Sequence, residues 1–164
     1  MVTDVRAEDT TGIGQPQRDD SKDPGGRRLV MVAFILALVV RALTAWFSGA
    51  AQPGEIRYIT IAEGILAGRG FEGLDNRFPS IIQPPLFPLT LALTLLLPGS
   101  SLFLGRVLSM LLGALVVFPV ASLGRRLFGG KAAGRAALLA AAYPILAHVS
   151  SAALTESLFA LLVC

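Results

Sequence analysis

The hydrophobic and polar positions divide this chain into one polar stretch, four apolar runs and a punctuated segment between the first two of them. Residues 1–26 carry Asp, Gly, Arg, Thr and Gln with almost no large apolar side chains. Such a composition cannot bury enough surface to offset its ordering entropy, so a disordered tail is expected through Arg28. Leu29 to Phe47 is then nearly continuously apolar, and about 19 residues at roughly 1.5 Å each reach across a hydrocarbon core of roughly 30 Å. A spanning helix over residues 29–48 follows. Leu102 to Phe128 and Ala132 to Val149 predict two more spans, the second kinked at Pro144, and Leu158 to Cys164 opens a further one. Seven apolar residues do not complete a crossing, so the chain reads as the front portion of a longer protein.

Between the first two runs, residues 49–101 form a punctuated segment. Ile59, Ala62, Ile65 and Leu66 recur at helical spacing against Arg57, Thr60, Glu63 and Gly64, which predicts a short amphipathic helix over Ile56 to Gly68. Phe71 to Ser80 reads as loop. Leu86 to Leu97 is apolar for about 12 residues, too short to span comfortably, and Pro84 to Pro98 is therefore expected to be re-entrant or interfacial.

Charge turns these runs into a topology. The chain is 54% hydrophobic and 15% charged, whereas soluble domains are charged at roughly a quarter of positions; an all-α polytopic membrane protein is expected. The net charge of +3 and pI near 9.6 do not point to nucleic acid, because Lys and Arg flank apolar runs instead of clustering with aromatics. Arg27 and Arg28 before the first span place the N-terminus in the cytoplasm by the positive-inside rule. With residues 84–98 not crossing, Arg125, Arg126, Lys131 and Arg135 return to the same side, and residues 49–101 lie on the outer side of the cell membrane. A cleaved twin-arginine export signal is the rival reading of the start, opposed by the length of the run, by Arg41 within it and by the spans that follow.

Arg41 stands inside the first run, where an arginine costs on the order of 3 kcal/mol. Snorkelling toward the outer surface is the simpler reading; the other has it face the bundle and meet a carboxylate or lipid phosphate. The carboxylates after the tail are Glu55, Glu63, Glu72, Asp75 and Glu156, and all fall on the outer side in this topology, with His148, a bystander without a spaced partner. Carboxylates at a membrane surface suit a general base or, in twos and threes, a divalent cation. Glu63, Glu72 and Asp75 are each more simply read as solvated loop charges, and Glu156 equally well as a favourable helix N-terminal charge. Walker and Rossmann phosphate loops, a serine elbow and zinc-spaced histidines are absent from the sequence. The single cysteine, Cys164, excludes a disulfide framework.

Pro53-Gly54-Glu55-Ile56-Arg57-Tyr58, the Ile61 to Phe71 segment, Gln83-Pro84-Pro85-Leu86-Phe87-Pro88, Gly105-Arg106, Arg125-Arg126-Leu127-Phe128-Gly129, Tyr143-Pro144 and Leu154-Thr155-Glu156-Ser157-Leu158-Phe159 follow one another. This ordered set resembles the N-terminal part of GT-C-fold membrane glycosyltransferases, the dolichyl-phosphate-mannose protein mannosyltransferase and aminoarabinose transferase-like group. The resemblance implies transfer of a sugar from a polyprenyl-phosphate donor to an acceptor at the outer face, with an acidic residue of the first outer loop as base or metal organiser. It implies Glu55 and Glu156 as the catalytic carboxylates, a divalent metal ion as a candidate cofactor, and the bilayer and a lipid-linked sugar as partners. Arg57, Tyr58, Arg69 and Arg77 are the candidates for substrate binding. Where the group carries Asp-Glu ahead of the tyrosine this chain has Gly54-Glu55. That missing carboxylate raises a competing reading, a non-catalytic membrane module binding lipid-linked sugar or a partner protein.

Overall fold

A computed structural model describes residues 24–71 and 83–164. The described residues are helical throughout: α1 (Pro24–Phe47), α2 (Pro53–Leu66), α3 (Leu86–Thr94), α4 (Ser101–Leu115), α5 (Val117–Phe128), α6 (Gly130–Ala142), α7 (Pro144–Ser150) and α8 (Glu156–Val163). Two helical stretches are long and apolar enough to cross a membrane, Gly25–Phe47 and Ser101–Phe128, and a third joins them if the bent pair α6 and α7 is one span. This is an all-α membrane protein.

Proline positions explain the breaks. Pro119 lacks the N–H that would bond the Leu115 carbonyl, and α4 gives way to α5 four residues before it. The kink expected at Pro144 is a 57° bend between α6 and α7, with Tyr143 held extended at φ −67° and ψ 112° because a residue before proline is driven out of the helical region. The reversal from α5 to α6 takes a single residue, Gly129, at φ 88°, a left-handed conformation that glycine adopts without steric cost.

α1, α4, α5 and α6 form a bundle closed by small residues. Ala33, Ala37, Ala114, Val117, Ala121, Ala137 and Ala141 are its buried core, backed by Phe34, Leu38 and Leu138; small side chains let backbones approach where lipid offers no hydrophobic driving force. A Cβ at Gly134 would run into Leu29, and one at Gly113 would run into Ser150. Val32, Ile35, Val39 and Leu43 on the outer flank of α1 stay exposed, as lipid-facing side chains do.

Arg41 belongs to the inward stripe of α1, four residues beyond Ala37 and eight beyond Ala33. The snorkelling reading is overturned: Arg41 is fully buried, its Nε donating to Ser150 Oγ at 2.9 Å and its Nη1 to the Ala37 carbonyl at 3.1 Å. Ser150 in turn donates to the Leu146 carbonyl. Among the described residues the guanidinium is thus held by a hydroxyl and a carbonyl, and no carboxylate contacts it.

A second core caps one end of this bundle. Tyr58 and Ala62 of α2, Phe87, Leu91 and Ala92 of α3 and Leu158 of α8 are buried together, with Leu108, Leu112 and Leu154 packed against them. α3 is nine residues long, about 14 Å at 1.5 Å per residue, and lies against α2 and α4. α2 begins at Pro53, three residues ahead of the expected Ile56, and its buried face holds Glu55, Tyr58, Ile61, Ala62 and Gly64. Leu66, expected on the apolar face, is exposed. The helix is rotated toward Glu55 because that carboxylate has partners in the core.

Candidate functional site

Glu55 sits in the first turn of α2, where the helix dipole favours a negative charge. It is fully buried, and four donors converge on it. Arg106 of α4 donates from Nε to Oε1 at 2.9 Å and from Nη2 to Oε2 at 3.0 Å. The backbone N–H of Gln52 donates to Oε2 at 2.7 Å, and that of Ala153, in the turn between α7 and α8, donates to Oε1 at 3.0 Å. Arg106 also donates to the carbonyls of Gly49 and Ala50, each at 3.3 Å. One bidentate ion pair therefore fastens the α1–α2 connection, α2, α4 and the turn before α8 to one another.

Burial by itself raises the Glu55 pKa; the hydrogen bond from Arg106, those from the Gln52 and Ala153 backbones, and the Arg106 charge outweigh it and hold the carboxyl below its usual value. Such a carboxylate accepts a proton only if Arg106 lets go, whereas it holds the surrounding segments together as it stands.

Glycines permit the convergence. A Cβ at Gly105 would lie 2.9 Å from the Ala153 Cβ, and one at Gly54 would lie 2.9 Å from Leu154 Cδ2. The position where the resembling group carries an aspartate is here filled by a leucine methyl from the α7–α8 turn.

One turn beyond Glu55, Tyr58 is packed edge-on against Phe87, ring centroids 5.2 Å apart and planes at 83°, and forms a side-chain hydrogen bond with Thr155. Its pKa is raised, by burial first and then by the negative charge of Glu156, against the opposing Arg57 charge and the Thr155 bond. Tyr58, Arg57, Thr155 and Glu156 thus come into one neighbourhood. Tyr58 is buried, while Arg57 and the Glu156 carboxylate at the start of α8 are exposed.

The other expected residues lie elsewhere. Arg69 is exposed beyond the C-terminal end of α2, its N–H bonded to the Gly64 carbonyl and about 16 Å along the chain from Tyr58 at helical rise. Arg77, Glu72 and Asp75 lie outside the described residues. Glu63 accepts a hydrogen bond from Ser101 Oγ at 2.5 Å, and His148 lines a shallow cleft with Phe47 and Ser48. Among the described residues no three His, Cys, Asp or Glu side chains come together to hold a metal ion. The residue missed by sequence reasoning as part of the site is Arg106. Its signal was present, since it is the single charge in the Leu102 to Leu123 run and an intramembrane charge calls for a partner.

A family model described as dolichyl-phosphate-mannose-protein mannosyltransferase matches residues 82–164, just over half of the chain. The chain belongs to that family. Comparison with curated proteins and with solved structures gives no match. The matched region contains Arg106, Ala153, Thr155 and Glu156, while Glu55 and Tyr58 precede it and are bound to it by the contacts above. The mannosyltransferase family match and the apolar helices together make this a membrane glycosyltransferase-family protein.

Proposed function

We propose that this protein transfers a sugar from a polyprenyl-phosphate-linked donor to a lipid, glycan or protein acceptor at the outer face of the cell membrane, its N-terminus facing the cytoplasm. The observation that carries the reading is the ion pair of Glu55 with Arg106, which fastens α2 to the turn before α8 and brings Tyr58 beside Thr155 and Glu156. Orientation is supported by the segregation of charge. Glu55, Glu63 and Glu156 gather at the α2 end, and Arg27 and Arg125 line a cleft at the other, the basic end facing inward by the positive-inside rule.

In this reading Glu156, exposed and next to Tyr58, takes the proton from the acceptor hydroxyl as its oxygen attacks the anomeric carbon and the carrier phosphate leaves. Arg57 attracts that phosphate, with Arg69 and Arg77 further along the loop. Tyr58, a phenol that is neutral at physiological pH, offers a hydroxyl at the edge of the site. Glu55 is a positioning residue that keeps these groups in register. A divalent ion would have Glu156 as its carboxylate ligand, and no step above depends on one.

Glu156→Gln in the intact protein tests this, assayed in membranes with radiolabelled polyprenyl-phosphate sugars. General-base catalysis contributes about 10²–10⁴-fold, so transfer should fall by at least about 100-fold while donor binding persists. An unchanged transfer rate would refute the assignment. The non-catalytic reading is favoured by one observation, the leucine methyl where the group carries an aspartate; donor binding without transfer in the unaltered protein would establish it instead.

A further inference from the structure

At the end of the bundle opposite Glu55, the first turns of α1 meet the end of α5 and the start of α6 around a cleft of about 420 Å³, within the roughly 300–1,000 Å³ of small-molecule sites. Its floor is apolar, formed by Val30, Met31, Phe118, Ala121 and Ala133, and its rim carries Arg27 and Arg125. A smaller cleft of about 250 Å³ lies on the other side of the same α1 turn, with Lys131 and Arg135 on its edge. The two exist because α1 descends onto glycines: Gly130 lines both clefts, and Leu29 lies directly over Gly134.

We propose that the larger cleft is a binding site for an anionic phospholipid of the bilayer, one acyl chain lying along the apolar floor and the headgroup phosphate between Arg27 and Arg125. Depth supports this. Arg27 stands twenty residues before Phe47 on α1, about 30 Å at helical rise, so the rim lies at headgroup level when the apolar part of α1 fills the hydrocarbon core. Charge supports it as well. Among the described residues this end carries Arg27, Arg28, Arg125, Arg126, Lys131 and Arg135 and no carboxylate, whereas Glu55, Glu63 and Glu156 belong to the opposite cap. In the bilayer an apolar groove of this kind is filled by acyl chain, and basic residues at its mouth select the lipids with negative headgroups.

The site is separate from the one assigned to sugar transfer, so its test reads lipid contact and not activity. The intact chain carrying Met31→Trp in a Trp46→Phe background has one indole, in the cleft. It is reconstituted in phosphatidylcholine vesicles containing either phosphatidylglycerol or phosphatidylcholine brominated on the acyl chains. Brominated phosphatidylglycerol should quench that indole with a relative association at least about fivefold above brominated phosphatidylcholine, the increment expected for one basic side chain at the surface. Arg27→Gln, and separately Arg125→Gln, should each lower the ratio by about fivefold. Arg126→Gln, at a residue that does not line the cleft, should leave it in place. Quenching by brominated phosphatidylcholine in every variant verifies that the helices are inserted.

A ratio near one in the unaltered rim would overturn the proposal, as would an Arg126→Gln effect equal to that of Arg27→Gln. A preference that appears only after deletion of residues 1–23, which include Asp4, Glu8, Asp9, Asp19, Asp20 and Asp23, would assign the rim to the chain's own acidic tail and overturn it too. Complete relief of quenching by stoichiometric polyprenyl phosphate would do the same in favour of the sugar carrier.

Discussion

Removing Arg106 should be far more damaging than removing the charge of Glu55. In Arg106→Met the methionine fills the space of the side-chain stem, but the Glu55 carboxylate remains fully buried with only the Gln52 and Ala153 N–H groups to stabilise it. Breaking a buried ion pair from one side costs about 3–5 kcal/mol. In Glu55→Gln the amide keeps the shape, and Arg106, 13% exposed and near the end of α4, can turn toward water; a lost charge-assisted bond of about 1.5–3 kcal/mol is then the larger part of the cost. The double variant leaves neither charge stranded, so its loss should be smaller than the sum of the two single losses by about 1–3 kcal/mol. Denaturant unfolding of the purified protein, followed through Trp46, measures all four corners of the cycle.

The pH dependence has a definite sign. The folded pKa of Glu55 is depressed, so its contribution is present above the ordinary carboxyl pKa and lost as pH falls through the folded one. In Arg106→Met the hydrogen bonds and charge of the guanidinium are gone and only the Gln52 and Ala153 N–H groups are left to oppose burial, so the carboxyl protonates at higher pH. The gap between Arg106→Met and the unaltered protein should therefore narrow on acidification. Strictly additive single effects, or a gap that does not change with pH, would refute the view of this pair as the fastening of the site.

Two further substitutions probe the neighbouring packing. Gly54→Asp introduces a side chain whose Cβ meets Leu154 Cδ2 at 2.9 Å. Leu154 Cδ2 is the far end of a side chain that can turn aside, so the cost should be at most about 1 kcal/mol, the low end for an overpacked position, measured by thermal unfolding, with a smaller penalty when Leu154 is shortened to alanine. Arg41→Met replaces a buried cation, held by Ser150 and a backbone carbonyl, with an apolar chain of similar length. Stability should stay level or rise by about 1–4 kcal/mol, as for other buried charges replaced by well-packed apolar groups, and a marked fall in the unfolding midpoint would show that the guanidinium has a stabilising partner.

Much of this was legible from residue order because membranes make strict demands on sequence. Apolar length against bilayer thickness, together with sparse charge, identified an all-helical membrane protein, and Pro144 marked the bend between α6 and α7. The ordered motifs from Pro53 to Phe159 indicated the glycosyltransferase family. The direction each polar group faces was much less legible. Arg41 read as snorkelling because one arginine near a helix end has that option; its place four residues beyond Ala37 was the sign that it faces inward.

The sequence by itself determined the class of protein and the bend at Pro144, since both follow from transfer energies and backbone chemistry that act residue by residue. Only the tertiary structure decided what Glu55 touches. Its partners are fifty-one residues away in Arg106 and ninety-eight away in Ala153. Glycines at 54 and 105 leave no side chain to keep those segments apart. The carboxylate that reads as an outer-loop base along the chain has four donors on its oxygens, and those contacts tie the segments of Tyr58 and Glu156 together.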